Sequence, residues 1–258
     1  MPSDQSDTSI EKEVAHTLEI NEIIDSDYLE NSSSLIRKGI NENWGYKKGW
    51  GLLSNNESDY TEKLKYYIHD IGGYRDLSNA GRQYTNRLDK STVDFIVDTL
   101  TKLDQDIKLD FELTYNPDEA EFDIYRIDEL EEVENEEINA GIFFSQYGTR
   151  NGIPFYEGDI IFKQNKSRWN DLDLKDYPAL NWREASTILH EIGHAFGLRH
   201  PNDNPNDSRY NSYDTVLSYN KESTGDLTPY FTKADLEALQ EIWGKETNNL
   251  INQPFATG

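Results

Sequence analysis

His190-Glu191-Ile192-Gly193-His194-Ala195-Phe196-Gly197-Leu198-Arg199-His200 holds three of the five histidines in a chain of 258 residues, spaced as HExxHxxGxxH. On an α-helix at about 100° per residue, His190 and His194 stand roughly 40° apart, so both rings leave one face and can reach one metal ion. Ala185, Ile188, Leu189, Ile192, Ala195 and Phe196 fall on the opposite side, and Ser186, Gly193 and Gly197 form a narrow small-residue flank. One side of this helix is therefore core and the other is site. Gly197 ends it, because glycine readily takes the left-handed conformation that follows a helix, and the turn brings His200 back as a third ligand. Five specified positions arise by chance in a chain of this length about once in ten thousand sequences or less. The plain alternative, a polar face on a core helix, calls for none of these spacings.

Three imidazoles are the ligand set of a zinc site that keeps a fourth position open. Glu191 is not needed to hold the ion, but it follows a ligand by one residue and can lean over the open position, where a general base belongs. Neutral ligands leave zinc its double positive charge, which lowers the pKa of a bound water to about 7. The motif thus predicts zinc at His190, His194 and His200 with Glu191 as the base.

With Pro201 directly after the third histidine, the stretch resembles the extended zinc motif of the metzincin metallopeptidases and is most similar to that of the serralysin family. Thr215-Val216-Leu217-Ser218-Tyr219 resembles the family's turn, usually (Val or Leu)-Met-Ser-Tyr. The run from Asp235 to Gly244 resembles its closing helix. The likeness covers the last third of the chain and the first half only loosely. Two features depart from it: Leu217 stands where the family has methionine, and fourteen residues follow Gly244 in place of glycine-rich calcium-binding repeats. The resemblance implies a zinc endopeptidase in which Tyr219 is a resting-state zinc ligand that swings away to hydrogen-bond the oxyanion. It also implies that Ala140 to Gln146 is an edge strand along the top of the cleft, pairing with a peptide or protein substrate bound as an extended strand. An extracellular location is implied too.

Composition bounds the rest. Forty-nine acidic against 25 basic residues give a net charge of −24, which argues against nucleic acid or an anionic membrane as partner, since phosphate contact needs clustered Lys and Arg. The length allows one substantial core or two small ones, and a hydrophobic content of 35% is adequate to build it. The absence of cysteine removes disulfides and any cysteine-based zymogen latch. No apolar run approaches the roughly 18 residues of a membrane span, and the polar start from Met1 to Glu13 lacks the apolar core of a secretory signal. Export would then need a signal already removed or another route. A monomer is expected.

Along the chain, residues 1–40 are Ser-, Asp-, Glu- and Asn-rich and read as a flexible leader, with a pro-segment covering the cleft as the sharper alternative. Trp44-Gly45-Tyr46 and Trp50-Gly51 mark the start of the folded domain, expected to span 41–258 with an upper part (41–197) and a lower part (198–258). A long amphipathic helix is predicted from Asp89 to about Ile107, with Ser91 and Asp94 in capping-box spacing near its start. Strands follow at 109–115, 122–127, 140–146 and 158–163. Between them, Asp128 to Glu137 has seven acidic residues in ten and reads as an exposed loop, with calcium binding as the minority alternative because the ligand spacing is irregular. Asn181 is the expected N-cap of the motif helix, and Pro201 to Asn211 excludes regular structure. Thr232 with Asp235 caps a last helix that Gly244 stops.

The whole predicts an α+β, metzincin-like domain: a twisted sheet with a long helix and an active-site helix, and a small lower subdomain closed by a helix. The alternative function is a zinc-stabilised binding or inhibitory domain without turnover.

Overall fold

The computed structural model describes residues 63–77, 81–128, 140–150, 153–163, 174–220 and 229–246. The leader, the Trp- and Gly-rich start, nearly all of the acidic run and the stretch after Glu246 lie outside the described residues. No helix among those described is long and apolar enough to cross a membrane.

Among the described residues the architecture is mixed α+β, built on one seven-stranded sheet. Its centre is β5 (Phe122–Ile127), parallel to β7 (Ile153–Lys163) along its full length. Two strands share the other edge of β5: β1 (Lys63–Ile68) runs parallel beside residues 122–124, and β3 (Gly81–Asn86) runs antiparallel beside residues 126–127. β4 (Asp110–Leu113) extends the sheet beyond β1 in parallel, β2 (Gly73–Leu77) forms a hairpin with β3, and β6 (Gly141–Arg150) lies antiparallel along the far edge of β7.

Side chains alternate across a strand, and both faces of this sheet are put to use. Leu64, Tyr66 and Ile68 of β1, Phe122 and Ile124 of β5, and Ile160 and Phe162 of β7 face a large buried core. Tyr125, Ile127 and Ile161 turn the other way and meet Leu77 in a smaller cluster. Among the described residues the larger core is closed by α1 (Lys90–Asp106), α2 (Trp182–Ala195) and α3 (Lys233–Trp243). That core is continuous from the sheet through Ile188 and Ile192 of α2 to Leu217, Leu239 and Trp243.

Several expectations are revised by the structure. α1 is capped not by Ser91 but by Asp89, whose carboxylate accepts from the backbone N–H of Thr92 at 3.0 Å. Ser91 instead donates to the carbonyl of Pro178, and Asp94 pairs with Lys90 one turn back. β7 starts five residues before the expected 158, because its pairing with β6 continues to Ile153 opposite Arg150 and makes one long hairpin. Strands β1 to β3 have no counterpart among the elements expected from sequence.

Candidate metal centre

Asn181 caps α2 as expected: its side-chain oxygen accepts from the backbone N–H of Glu184 at 2.9 Å, and its amide donates to the Glu184 carboxylate at 3.0 Å. The six residues assigned to the inward side, Ala185, Ile188, Leu189, Ile192, Ala195 and Phe196, are all fully buried. At the other end, Gly197 has a φ of 105°, and the helix closes with two bonds, Gly197 N–H to the His194 carbonyl and Leu198 N–H to the Gly193 carbonyl. That is the Schellman arrangement, which needs a residue free to take positive φ. Its consequence is local and chemical. The reversed chain delivers the Leu198 carbonyl to His194 Nδ1 at 2.9 Å and returns His200 to the other two rings.

The three Nε2 atoms converge. They stand 3.0 Å apart for His190 and His194, 3.2 Å for His190 and His200, and 3.3 Å for His194 and His200. A tetrahedral zinc with bonds of about 2.0–2.1 Å requires nitrogen separations of about 3.3–3.4 Å, so the set fits within a few tenths of an ångström. The opposite ring nitrogens explain the protonation. His190 Nδ1 lies 2.8 Å from the carbonyl of Val216 and His194 Nδ1 lies 2.9 Å from that of Leu198; a carbonyl only accepts, so both Nδ1 atoms carry the hydrogen. In the neutral rings both Nε2 atoms then present unshared pairs to each other, an arrangement that a cation relieves. Burial, then the neighbouring His200, pushes the His194 pKa down to about 4, and burial also lowers that of His200, so these rings are neutral at pH 7. His190, His194 and His200 can hold a metal ion.

Glu191 is buried, one residue beyond the first ligand. The first residue of β6 lies against it: a Cβ built on Gly141 would sit 2.7 Å from Glu191 Oε1, and 2.8 Å from both Glu191 Cγ and Thr187 Cγ2. The bare backbone of the edge strand is thus one wall of the carboxylate's position. β6 pairs through its inner edge with β7, and among the described residues no strand covers its outer edge.

Beneath the rings runs the turn from Thr215 to Tyr219. Leu217 is wholly buried, and its Cδ2 would lie 3.2 Å from a Cβ on Gly193, so a glycine there, between the first two histidines, lets the turn come up under α2. Tyr219 leaves the turn toward the ligands, its ring centroid 5.3 Å from that of His190 and 5.2 Å from that of His200. It stays 49% exposed. Burial raises its phenol pKa first and the negative charge of Glu191 second. The three histidines and Tyr219 are thus gathered at one place, with Glu191 buried on the same helix next to His190.

Residues without a site role in the sequence pattern complete the support. Asp235, expected only as a cap, forms the capping box with Thr232 and also binds Thr215 and the Val216 N–H. Trp243 Nε1 donates to the carbonyl of Phe196 at 2.9 Å, satisfying an end carbonyl of α2 from α3. Gly141 could be suspected only from the fold, since nothing local marks it.

Fold and site together define an α+β protein with a metal-capable histidine triad. Compared with known proteins, the chain matches no family model and no curated protein.

Proposed function

We propose that this chain is a metzincin-like zinc endopeptidase. The observation that carries the reading is the convergence of three Nε2 atoms within 3.3 Å, two of them held in the metal-ready tautomer by backbone carbonyls, with a buried carboxylate on the residue after the first ligand.

A zinc ion held by His190, His194 and His200 would supply an acidified water and positive charge for the carbonyl oxygen. Glu191 accepts the proton of the water that attacks the peptide carbonyl and returns it to the departing nitrogen, whose bond to carbon breaks. The Tyr219 hydroxyl donates a hydrogen bond to the oxygen on which negative charge develops. The open edge of β6, which begins against Glu191, takes an extended peptide as a further strand, with main-chain hydrogen bonds setting its register. The acidic surface suits a protein substrate far better than a polyphosphate one.

The test is metal analysis of purified protein together with cleavage of an unstructured protein, with and without chelator, for the wild type and Glu191→Ala. We expect about one zinc per chain in both proteins and chelator-sensitive cleavage in the wild type alone. Zinc binding without any cleavage would favour the binding-domain alternative.

A further inference from the structure

The Nδ1–H of His190 is connected to a buried carboxylate through one peptide unit and one hydroxyl. Val216 O accepts from His190 Nδ1 at 2.8 Å; in the same peptide unit, the N–H of Leu217 donates to Thr215 Oγ1 at 3.1 Å; and the Thr215 hydroxyl donates to Asp235 Oδ1 at 2.6 Å. Thr215 and Asp235 are both fully buried, so solvent does not compete for these groups. The second carboxylate oxygen of Asp235 accepts from the N–H of Val216 at 3.0 Å, and from Thr232 N and Oγ1 at 2.9 and 2.8 Å. One carboxylate therefore caps α3 and grips the turn that carries the carbonyl facing His190.

We propose that Asp235 and Thr215 are positioning residues for the metal ligand His190, acting through the 216–217 peptide. Two effects run along this chain of bonds. Asp235 holds the peptide so that the Val216 carbonyl points at the ring, which selects the tautomer with Nε2 free. The four hydrogen bonds that Thr215, Val216 and Thr232 give to Asp235 hold its carboxylate as an acceptor, which polarises each hydrogen bond in turn and makes that carbonyl a stronger acceptor, so the ring is a better donor to a cation. Metal ligands commonly give their second nitrogen to a carboxylate or to a carbonyl; here the carbonyl is itself tied to a carboxylate. His194 differs, since its Nδ1–H goes to the Leu198 carbonyl at the end of its own helix. The two ligands should respond differently to changes in α3.

This proposal rests on the metal-centre reading and is tested on the full chain with zinc alone as the probe. Thr215→Val removes the hydroxyl from the relay and nearly keeps the shape. Thr232→Val takes a hydroxyl from the same carboxylate but leaves the path to His190 intact. Zinc affinity is measured by competition with a chelator, thermal stability is followed alongside, and ring-nitrogen NMR shifts of His190 report its tautomer in metal-free protein. We expect Thr215→Val to weaken zinc by about 10- to 100-fold and to mix the His190 tautomers, Thr215→Ser to restore both, and Thr232→Val to lower stability with zinc affinity within about threefold of wild type. If Thr215→Val folds and binds zinc as the wild type does, or if both valine variants lose affinity in step with their stability, the relay is overturned. Failure of the wild type to bind zinc would overturn the metal reading itself. The tautomer measurement then decides the relay separately: mixing in Thr215→Val alone supports it, and an unchanged His190 tautomer overturns it.

Discussion

Replacing Gly141 with alanine adds one methyl group where the edge strand meets the carboxylate proposed as the base. That methyl would lie 2.7 Å from Glu191 Oε1 and 2.8 Å from Thr187 Cγ2, whereas ordinary contact begins near about 3.4 Å, so the neighbours must part by roughly 0.6–0.7 Å. Thr187 belongs to a packed helix and its hydroxyl is held by the Arg183 carbonyl at 3.0 Å, so it has little room to yield. The end of the Glu191 side chain is the softer partner and moves. A displacement approaching 1 Å in a reacting group costs on the order of 100-fold in rate, and crowding of this size costs about 1–3 kcal/mol of stability. We therefore expect Gly141→Ala to fold, to keep its zinc and to lose about 10- to 100-fold in kcat, with KM changed far less. Steady-state kinetics on an unstructured protein substrate, paired with metal analysis, checks this. A variant with full zinc and wild-type kcat would show that Glu191 does not act from the position found here.

Three further outcomes follow from the site. Tyr219→Phe should keep the metal and lose about 10- to 1000-fold in kcat, because the hydroxyl acts only as charge develops; an unchanged kcat would reduce Tyr219 to packing. Leu217→Met exchanges apolar side chains of similar volume at a buried position and should shift zinc affinity and kcat/KM by no more than a few-fold, while Leu217→Asp buries a charge beneath the rings and should lose folding or metal. In metal-free protein His194 should stay neutral until the pH falls to about 4, because burial, then the neighbouring His200, lowers its folded pKa, so its share of the stability is lost between about 6.5 and 4; ring NMR shifts followed over that range measure it, and a midpoint near 6.5 would contradict the burial of that ring.

Sequence is legible where structure is written locally. The spacing of His190, His194 and His200, the cap at Asn181, the positive φ at Gly197 and the Thr232–Asp235 capping box are all set within a few residues of chain, and each is found as expected. Strands β2 and β3 are not legible, because GYRDL and GRQYTN carry few apolar residues and owe their form to pairing with each other and with β5. β1 alternates as a half-buried strand does, Lys63 and Lys65 outward against Leu64, Tyr66 and Ile68 on the core side, so it does carry a sequence signal. The full length of the β6–β7 hairpin does have a sequence signal, the Asn151-Gly152 dipeptide between two apolar runs. Gly141 and the reach of Asp235 to His190 lie beyond any sequence pattern, since both are contacts between elements far apart in the chain.

The dependence of the turn on Asp235 has a consequence for the order in which the protein is made. α3 begins at Lys233, after every candidate ligand and the proposed base have already been synthesised. A nascent chain that stops short of it carries His190, Glu191, His194 and His200, yet lacks the carboxylate that grips Val216 and the indole that binds Phe196. Growing chains would thus acquire the candidate site residues before the framework that aligns them. On the proposed function, the site would be complete only once α3 has docked.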